Sequence, residues 1–398
     1  MRAYLDNAAT TRLSDAAREA MLPYFDGIYG NPSSLHDEGQ RAGAALQNAR
    51  ERIAAAIHAD PGEIYFTSGG TESNNMAICS AANCSAARRP APAPERRKRH
   101  IISSAIEHHA VLHPLEALQK EGFEITLLPV EPETGLVKPA DLEAALREDT
   151  ALVTIMTANN EVGTIQPIAA LGELCRARGV VFHSDAVQAV GHIPVDVRAM
   201  NVDMLSLSAH KFHGPKGVGA LYCRRGAPLC PLLLGGAQER SRRAGTENIP
   251  GIMGMAAALE ESAAELAEVS LRLTGFRDEM IDQFLRLPRT HLNGDRLQRL
   301  PGNASLCFEG LEGEALLLLL DAKGIAASSG SACTSGSLEP SHVLLALGRP
   351  HEVAHGSLRL SLSRYTTREE IDLALEAVPQ TVEYLRSISP VWDRLRRG

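Results

Sequence analysis

Two stretches decide how this chain is read: His183-Ser184-Asp185-Ala186-Val187-Gln188 and Ser206-Leu207-Ser208-Ala209-His210-Lys211. Each adjoins a short apolar run, Val180-Val181-Phe182 for the first and Val202-Asp203-Met204-Leu205 for the second, that reads as a buried strand. The first therefore delivers the carboxylate of Asp185 at a strand end, and the second delivers the amine of Lys211. The turn-rich continuation His213-Gly214-Pro215-Lys216-Gly217 places Lys211 on a loop at a sheet edge. Pyridoxal phosphate needs such a pair: a lysine to hold its aldehyde covalently, and a carboxylate to keep its pyridine nitrogen protonated so that the ring accepts electrons. Taken singly, an Asp and a Lys are ordinary loop charges, so the pair needs support from the rest of the chain.

Working outward, β-rich runs alternate with helical patterns from about residue 60 to 225. Ile64 to Thr67 precedes a helix opening near Glu72, and His100 to Ser103 precedes one over His109 to Lys120. Ile125 to Leu128 and Ala151 to Met156 read as further strands, and Leu171 to Arg178 as a helix before Val180. This rhythm predicts an α/β fold: a large domain with a mostly parallel central sheet flanked by helices. Ligands in such sheets bind beyond the carboxyl ends of the strands, where Asp185 and Lys211 fall. A long helical stretch over Ile252 to Leu285 reads as a connector. Beyond it, Asn303 to Phe308, Ile325 to Ala327 and Ser357 to Leu362 read as strands of a smaller α+β domain.

A length of 398 residues favours one large and one small domain. A formal net charge of −8 argues against general nucleic-acid affinity, and an aromatic content of 4% argues against base-stacking platforms. No apolar run reaches the roughly 18 residues of a membrane span, and the first residues lack the apolar stretch of a secretory signal, so a cytoplasmic protein is expected. Seven dispersed cysteines with no C-x-x-C spacing argue against a disulfide framework and against a structural zinc site, leaving thiols in a reducing compartment and no metal. The Pro/Ala/Arg-rich stretch from Arg88 to His100 reads as a surface loop insertion.

Four further segments carry candidate chemistry. Thr67-Ser68-Gly69-Gly70-Thr71-Glu72-Ser73-Asn74 lies between a strand and a helix, where small residues and free N–H groups can cradle a phosphate; a plain helix cap is the alternative. In Glu107-His108-His109, a histidine can lie over a cofactor ring and shuttle protons, or be a histidine satisfied by local hydrogen bonds, the reading that suits His109. In Ala158-Asn159-Asn160-Glu161, amides at a strand end can donate to a phenolic oxygen or build a turn. Arg359, inside the otherwise apolar Gly356 to Ser361, needs an anionic partner, either a substrate carboxylate or a structural carboxylate. Ala327 to Ser337 is Gly/Ser-rich and carries Cys333; a buried-hydrophobe role suits Cys175, Cys223 and Cys307 better than this one.

The chain resembles a cysteine desulfurase of the NifS/IscS type, among the aminotransferase class V, fold type I pyridoxal phosphate enzymes. The resemblance runs nearly end to end, through Tyr4-Leu5-Asp6-Asn7-Ala8-Ala9-Thr10-Thr11, Gly30-Asn31-Pro32-Ser33-Ser34, Arg243 to Asn248, and Ser329-Gly330-Ser331-Ala332-Cys333-Thr334-Ser335 with Leu338-Glu339-Pro340-Ser341 after it. It implies a cofactor-binding domain over about 15–260 and a small domain from 1–14 and 261–398, carrying a mobile cysteine loop at about 327–340. It implies that Lys211 anchors the cofactor and that Asp185 pairs with the pyridine nitrogen. Gln188 and Asn160 lie near the phenolic oxygen, and His108 stacks on the ring. Gly70, Thr71, Ser208 and His210 hold the phosphate, joined by Thr246 from the second subunit of a homodimer. Arg359, helped by Asn31, holds the substrate carboxylate, and Cys333 accepts the sulfur of L-cysteine as alanine is released. A scaffold protein for iron–sulfur assembly is the implied partner. Gly336, the Glu309 to Leu316 run and the lack of a longer tail resemble the nitrogenase-associated branch. A selenocysteine lyase or other β-lyase is the rival reading within the same cofactor class, and a non-catalytic binding protein of this fold is the rival outside it.

Overall fold

The computed structural model describes residues 2–87, 98–329 and 340–397. Its centre is a seven-stranded sheet made of β2 (Ile64–Thr67), β3 (His100–Ser104), β4 (Glu124–Leu128), β5 (Thr150–Thr154), β6 (Val181–Asp185), β7 (Met204–Ser208) and β8 (Gly219–Cys223), in the order β2-β8-β7-β6-β5-β3-β4. All neighbours pair in parallel except β8, which runs antiparallel to both β2 and β7. β3, β5, β7 and β8 are buried along their whole length, because helices cover both faces, so even the serines of β3 and β7 are enclosed. The helix Ile168–Arg178 stops at Gly179, whose φ of 61° is a left-handed cap that returns the chain into β6.

A second, three-stranded antiparallel sheet pairs β10 (Asn303–Phe308) with both β9 (Thr290–Leu292) and β12 (Ser357–Ser361). β1 (Ala3–Tyr4) and β11 (Ile325–Ala326) form a short parallel pair beside it. The helix Ile249–Phe284 spans 36 residues, about 54 Å at 1.5 Å per residue. Its first turns, Ile249 to Leu259, pack into the core of the large sheet; Leu273, Met280, Ile281 and Phe284 pack into the core of the small one. Residues 343–354 return to the large core through Val343, Leu344, Leu347 and Ala354.

The N-terminal segment is strung between the two sheets. Asn7 donates its backbone N–H to the Ser361 carbonyl on β12, and Thr11 donates to the His210 carbonyl just beyond β7. Cys79, Cys175, Cys223 and Cys307 are free thiols, but Cys230 is disulfide-bonded, which corrects the expectation of thiols throughout. Proximity decides such pairing, and spacing along the chain does not report it. No helix among the described residues is long and apolar enough to cross a membrane, and no group of three or more metal-ligating side chains is found among them.

Candidate active site

The carboxyl ends of β2, β3, β5, β6 and β7 open onto a cavity of about 310 Å³. Its wall on the large-sheet side holds Gly70, Thr71, His108 and Asn160, with Asp185, Gln188, Ser208, His210 and Lys211, and Arg359 reaches it from β12. Asn31 and Thr246 do not line it: both are exposed, and the Asn31 side chain accepts from its own turn at Ser33 N (2.9 Å). Cys333 lies outside the described residues, as does most of the Arg88 insertion.

Asp185 is the last residue of β6 and is buried. Its Oδ1 accepts from the Val187 backbone at 3.0 Å and its Oδ2 from Asn74 Nδ2 at 2.6 Å, so the carboxylate is fixed from two sides. Lys211 follows β7 through the single turn Ala209–Lys211; its Nζ donates to the carbonyls of Ala8 (2.6 Å) and Ala9 (2.8 Å). Gln188 donates to the same Ala8 carbonyl at 2.9 Å, and the half-buried His192 contacts the Lys211 carbonyl at 2.9 Å.

The helix Gly70–Ala87 begins against the β6–β7 edge because residue 70 has no side chain. A Cβ there would lie 2.6 Å from Val187 Cγ2, a distance real Cβ atoms do not tolerate. That close approach aims the N–H groups and positive dipole end of the helix at the cavity beside Ser208. Glu72, one turn in, receives Ser68 N (2.8 Å) and a two-pronged contact from Arg243 (2.8 and 3.1 Å), tying the segment that bears Thr246 to the cradle.

His108 caps the helix His109–Lys120, its Nδ1 accepting from Ala110 N at 3.1 Å. A neutral ring in that tautomer carries its proton on Nε2. Burial holds its pKa below the ordinary histidine value; Asp185 pulls it up and Lys211 pushes it down. His210, bonded to Thr10 Oγ1 at 3.1 Å, is pushed down to about 4, chiefly by burial and then by the neighbouring lysines. Both imidazoles are neutral at physiological pH. Beneath them, Glu107 is wholly enclosed and its carboxyl is pushed up to about 8 by burial. Its Oε1 accepts from Ser104 Oγ (2.5 Å) and Met156 N (3.0 Å), bridging the ends of β3 and β5.

The two asparagines after β5 divide the two roles open to them. Asn159 builds the turn, its Oδ1 accepting from Glu161 N (2.8 Å) and Val162 N (2.9 Å), while Asn160 lines the cavity. Arg359 is buried on β12. It donates to Asp6 Oδ1 at 2.9 Å and to the Asn160 carbonyl at 3.1 Å, whereas its Nε has no hydrogen-bond partner. Asn74, Glu107 and the carbonyls of Ala8 and Ala9 are site features that sequence reasoning missed. Asn74 and Glu107 do stand inside quoted motifs, one helical turn and one residue from the positions singled out.

A glycine-gated anion cradle, a lysine amine, a clamped carboxylate and an incompletely paired arginine fit pyridoxal phosphate with an amino-acid substrate. Fold and site thus define a pyridoxal phosphate enzyme with a large and a small domain. The comparisons with known proteins agree. Residues 3–374 match the family described as aminotransferase class-V, and the chain belongs to that family. It is 54% identical over 388 residues to "Cysteine desulfurase IscS" of Methanosarcina thermophila, covering 98% of this chain and 94% of that one. It is 49% identical to "Cysteine desulfurase" of a Nostoc species, covering 97% of this chain and 94% of that one. Among solved structures, a "NIFS-like protein" superposes with a TM-score of 0.89 at 40% identity, covering 97% of this chain and 100% of that one. A structure described as "SspA in complex with cysteine" gives 0.79 at 36% identity, covering 92% and 100%.

Proposed function

We propose that this chain is a pyridoxal phosphate-dependent cysteine desulfurase that converts L-cysteine to L-alanine and leaves the sulfur as a persulfide on Cys333. The observation that carries this is the single cavity shared by Lys211, Asp185, His108 and Arg359, drawn from two sheets. When bound, pyridoxal phosphate supplies a carbonyl for the substrate amine and a sink for the electrons left on carbon. Lys211 would hold that carbonyl and, once the substrate amine has freed it, would take the α-proton and at the end return a proton to the α-carbon. Asp185 would keep the pyridine nitrogen protonated, Asn160 and Gln188 would hold the phenolic oxygen, and His108 would lie over the ring. Gly70, Thr71, Ser208 and His210 hold the phosphate. Arg359 orients the substrate carboxylate through its spare donor capacity.

The Cys333 thiolate attacks the substrate sulfur. The carbon–sulfur bond breaks with its electron pair passing to carbon, a proton replaces sulfur there, and alanine leaves. The products together contain every atom of L-cysteine and the Cys333 thiol. Replacing Cys333 with Ala tests this. The variant should keep the visible colour of the bound cofactor yet lose alanine formation from L-cysteine; wild-type turnover would sink the persulfide route and favour the selenocysteine lyase reading.

The working unit is read as a homodimer. Thr246 is exposed and outside its own chain's cavity, and exposed apolar residues such as Leu22, Phe25, Tyr29 and Leu234 suit a face that a second copy covers. The domain division is read as a large domain over about 15–260 and a small domain from 1–14 and 261–398, joined through the long helix; the two cores follow this division except that Leu300, Cys307 and residues 343–354 pack with the large core. Delivery of sulfur to an iron–sulfur scaffold in the cytoplasm is carried over from the NifS/IscS resemblance, and Gly336 with the Glu309 to Leu316 run points it toward nitrogenase. It is tested by transfer of labelled persulfide sulfur to candidate scaffolds.

A further inference from the structure

We infer that Asn74 is a positioning residue that clamps Asp185 against the pyridine nitrogen and so sets how tightly the cofactor is held. The inference rests on the reading of Asp185 given above. Asn74 lies in the helix that begins at the anion cradle, is 1% exposed and borders the cavity. Its Nδ2 donates to Asp185 Oδ2 at 2.6 Å, while its own Oδ1 is buried with no hydrogen-bond partner. A buried amide that leaves one oxygen unpaired is costly, and an apolar side chain would fill the same space without that cost. The arrangement is intelligible if the amide is kept for its donor. An uncharged donor stabilises the ionised carboxylate without supplying the counter-cation, which leaves the full negative charge for the protonated ring. A lysine or arginine at this position would compete for that charge. Because Val187 N fixes the other oxygen at 3.0 Å, the carboxylate is held by its own strand-end turn and by the cradle helix together. One helix thereby registers the phosphate end of the site against the nitrogen end.

The test compares wild type, Asn74→Ala, Asn74→Leu and Asp185→Ala in full-length protein. It measures melting of the cofactor-free form, the Kd for pyridoxal phosphate, and the pH midpoint of the bound visible band. In both Asn74 variants the Kd should rise about tenfold, the loss of one hydrogen bond to a charged group, and the pH midpoint should move. The Leu variant, close in volume, should keep wild-type melting even if the Ala variant folds poorly. An unchanged Kd and midpoint in Asn74→Leu, with binding lost in Asp185→Ala, overturns the role of Asn74 alone. Unchanged binding in Asp185→Ala overturns the reading of Asp185 and this inference with it.

Discussion

Two arginines in this molecule are almost equally buried and differently used. Arg50 sits under β2 with both terminal nitrogens of its guanidinium bonded. It donates to Glu239 Oε2 (2.8 Å) and Oε1 (2.6 Å) and to the Ile64 carbonyl (2.6 Å), and it lies 4.7 Å from the Phe66 ring centroid. Glu239 in turn accepts from Phe66 N at 2.9 Å and is held at a φ of 46°, a strained left-handed conformation for a residue with a Cβ. Arg359, on the second sheet, contacts Asp6 through one nitrogen and a carbonyl through another, and its third nitrogen is unpaired although buried. The first is a two-pronged ion pair, both carboxylate oxygens engaged, that maintains the fold. The second is an ion pair with donor capacity left over, at the rim of a cavity, which is what a carboxylate-binding group needs before its ligand arrives. Burial alone does not distinguish structure from function; completeness of pairing does.

The comparison breaks if the two behave alike when truncated. Arg50→Ala leaves Glu239 buried without its cation, so unfolding free energy should fall by roughly 3–5 kcal/mol, while kcat/KM per folded molecule stays at the wild-type value. Denaturant melts with active-site titration check both halves. Arg359→Ala should instead lower kcat/KM for L-cysteine by about a hundredfold or more, with the visible band of the cofactor retained. A large loss of stability without a change in KM would return Arg359 to a structural role. Arg359→Lys keeps the charge but not the planar fork, and should lose about tenfold in kcat/KM, through KM, in steady-state kinetics.

Spread over several pH units rather than concentrated in one substitution, the last effect is a pH slope at Glu107. Its carboxyl is raised from 4.5 to about 8 in the folded chain, so the folded state holds the extra proton across that window. The stability this group contributes is complete below about 4.5 and is lost as pH rises toward about 8. Glu107→Gln removes the titration. Wild type should therefore lose stability relative to the variant at up to about 1.4 kcal/mol per pH unit across the window, read from melts of the cofactor-free proteins. Parallel stability curves would show that Glu107 is ionised in the fold.

What was legible in the chain was whatever sat close in sequence. Asp185 and Lys211 could be placed at strand ends because each strand and its terminal residue are contiguous, and Gly70 because a strand, a small-residue turn and a helix follow in order. β8 was not read as a strand at all, and the link from Ser208 to Gly219, too short for the helical crossover a parallel strand needs, is the signal that gives its antiparallel direction. Arg359 was visible as an arginine among apolar residues. The choice between a ligand and a structural partner was not, because Asp6 lies 353 positions away. The Arg50–Glu239 pair, 189 positions apart, left no local trace at all. Asn74 and Glu107 show the same limit: their types are readable, but their partners at Asp185 and Met156 come from other strands.

The most direct test of the whole account is the visible absorption spectrum of the purified protein before and after L-cysteine, with alanine assayed in the same sample. The account predicts a coloured protein whose band shifts on addition of L-cysteine and which yields alanine. A coloured protein whose band does not move and which forms no alanine would contradict it, as would a protein that stays colourless after pyridoxal phosphate is supplied.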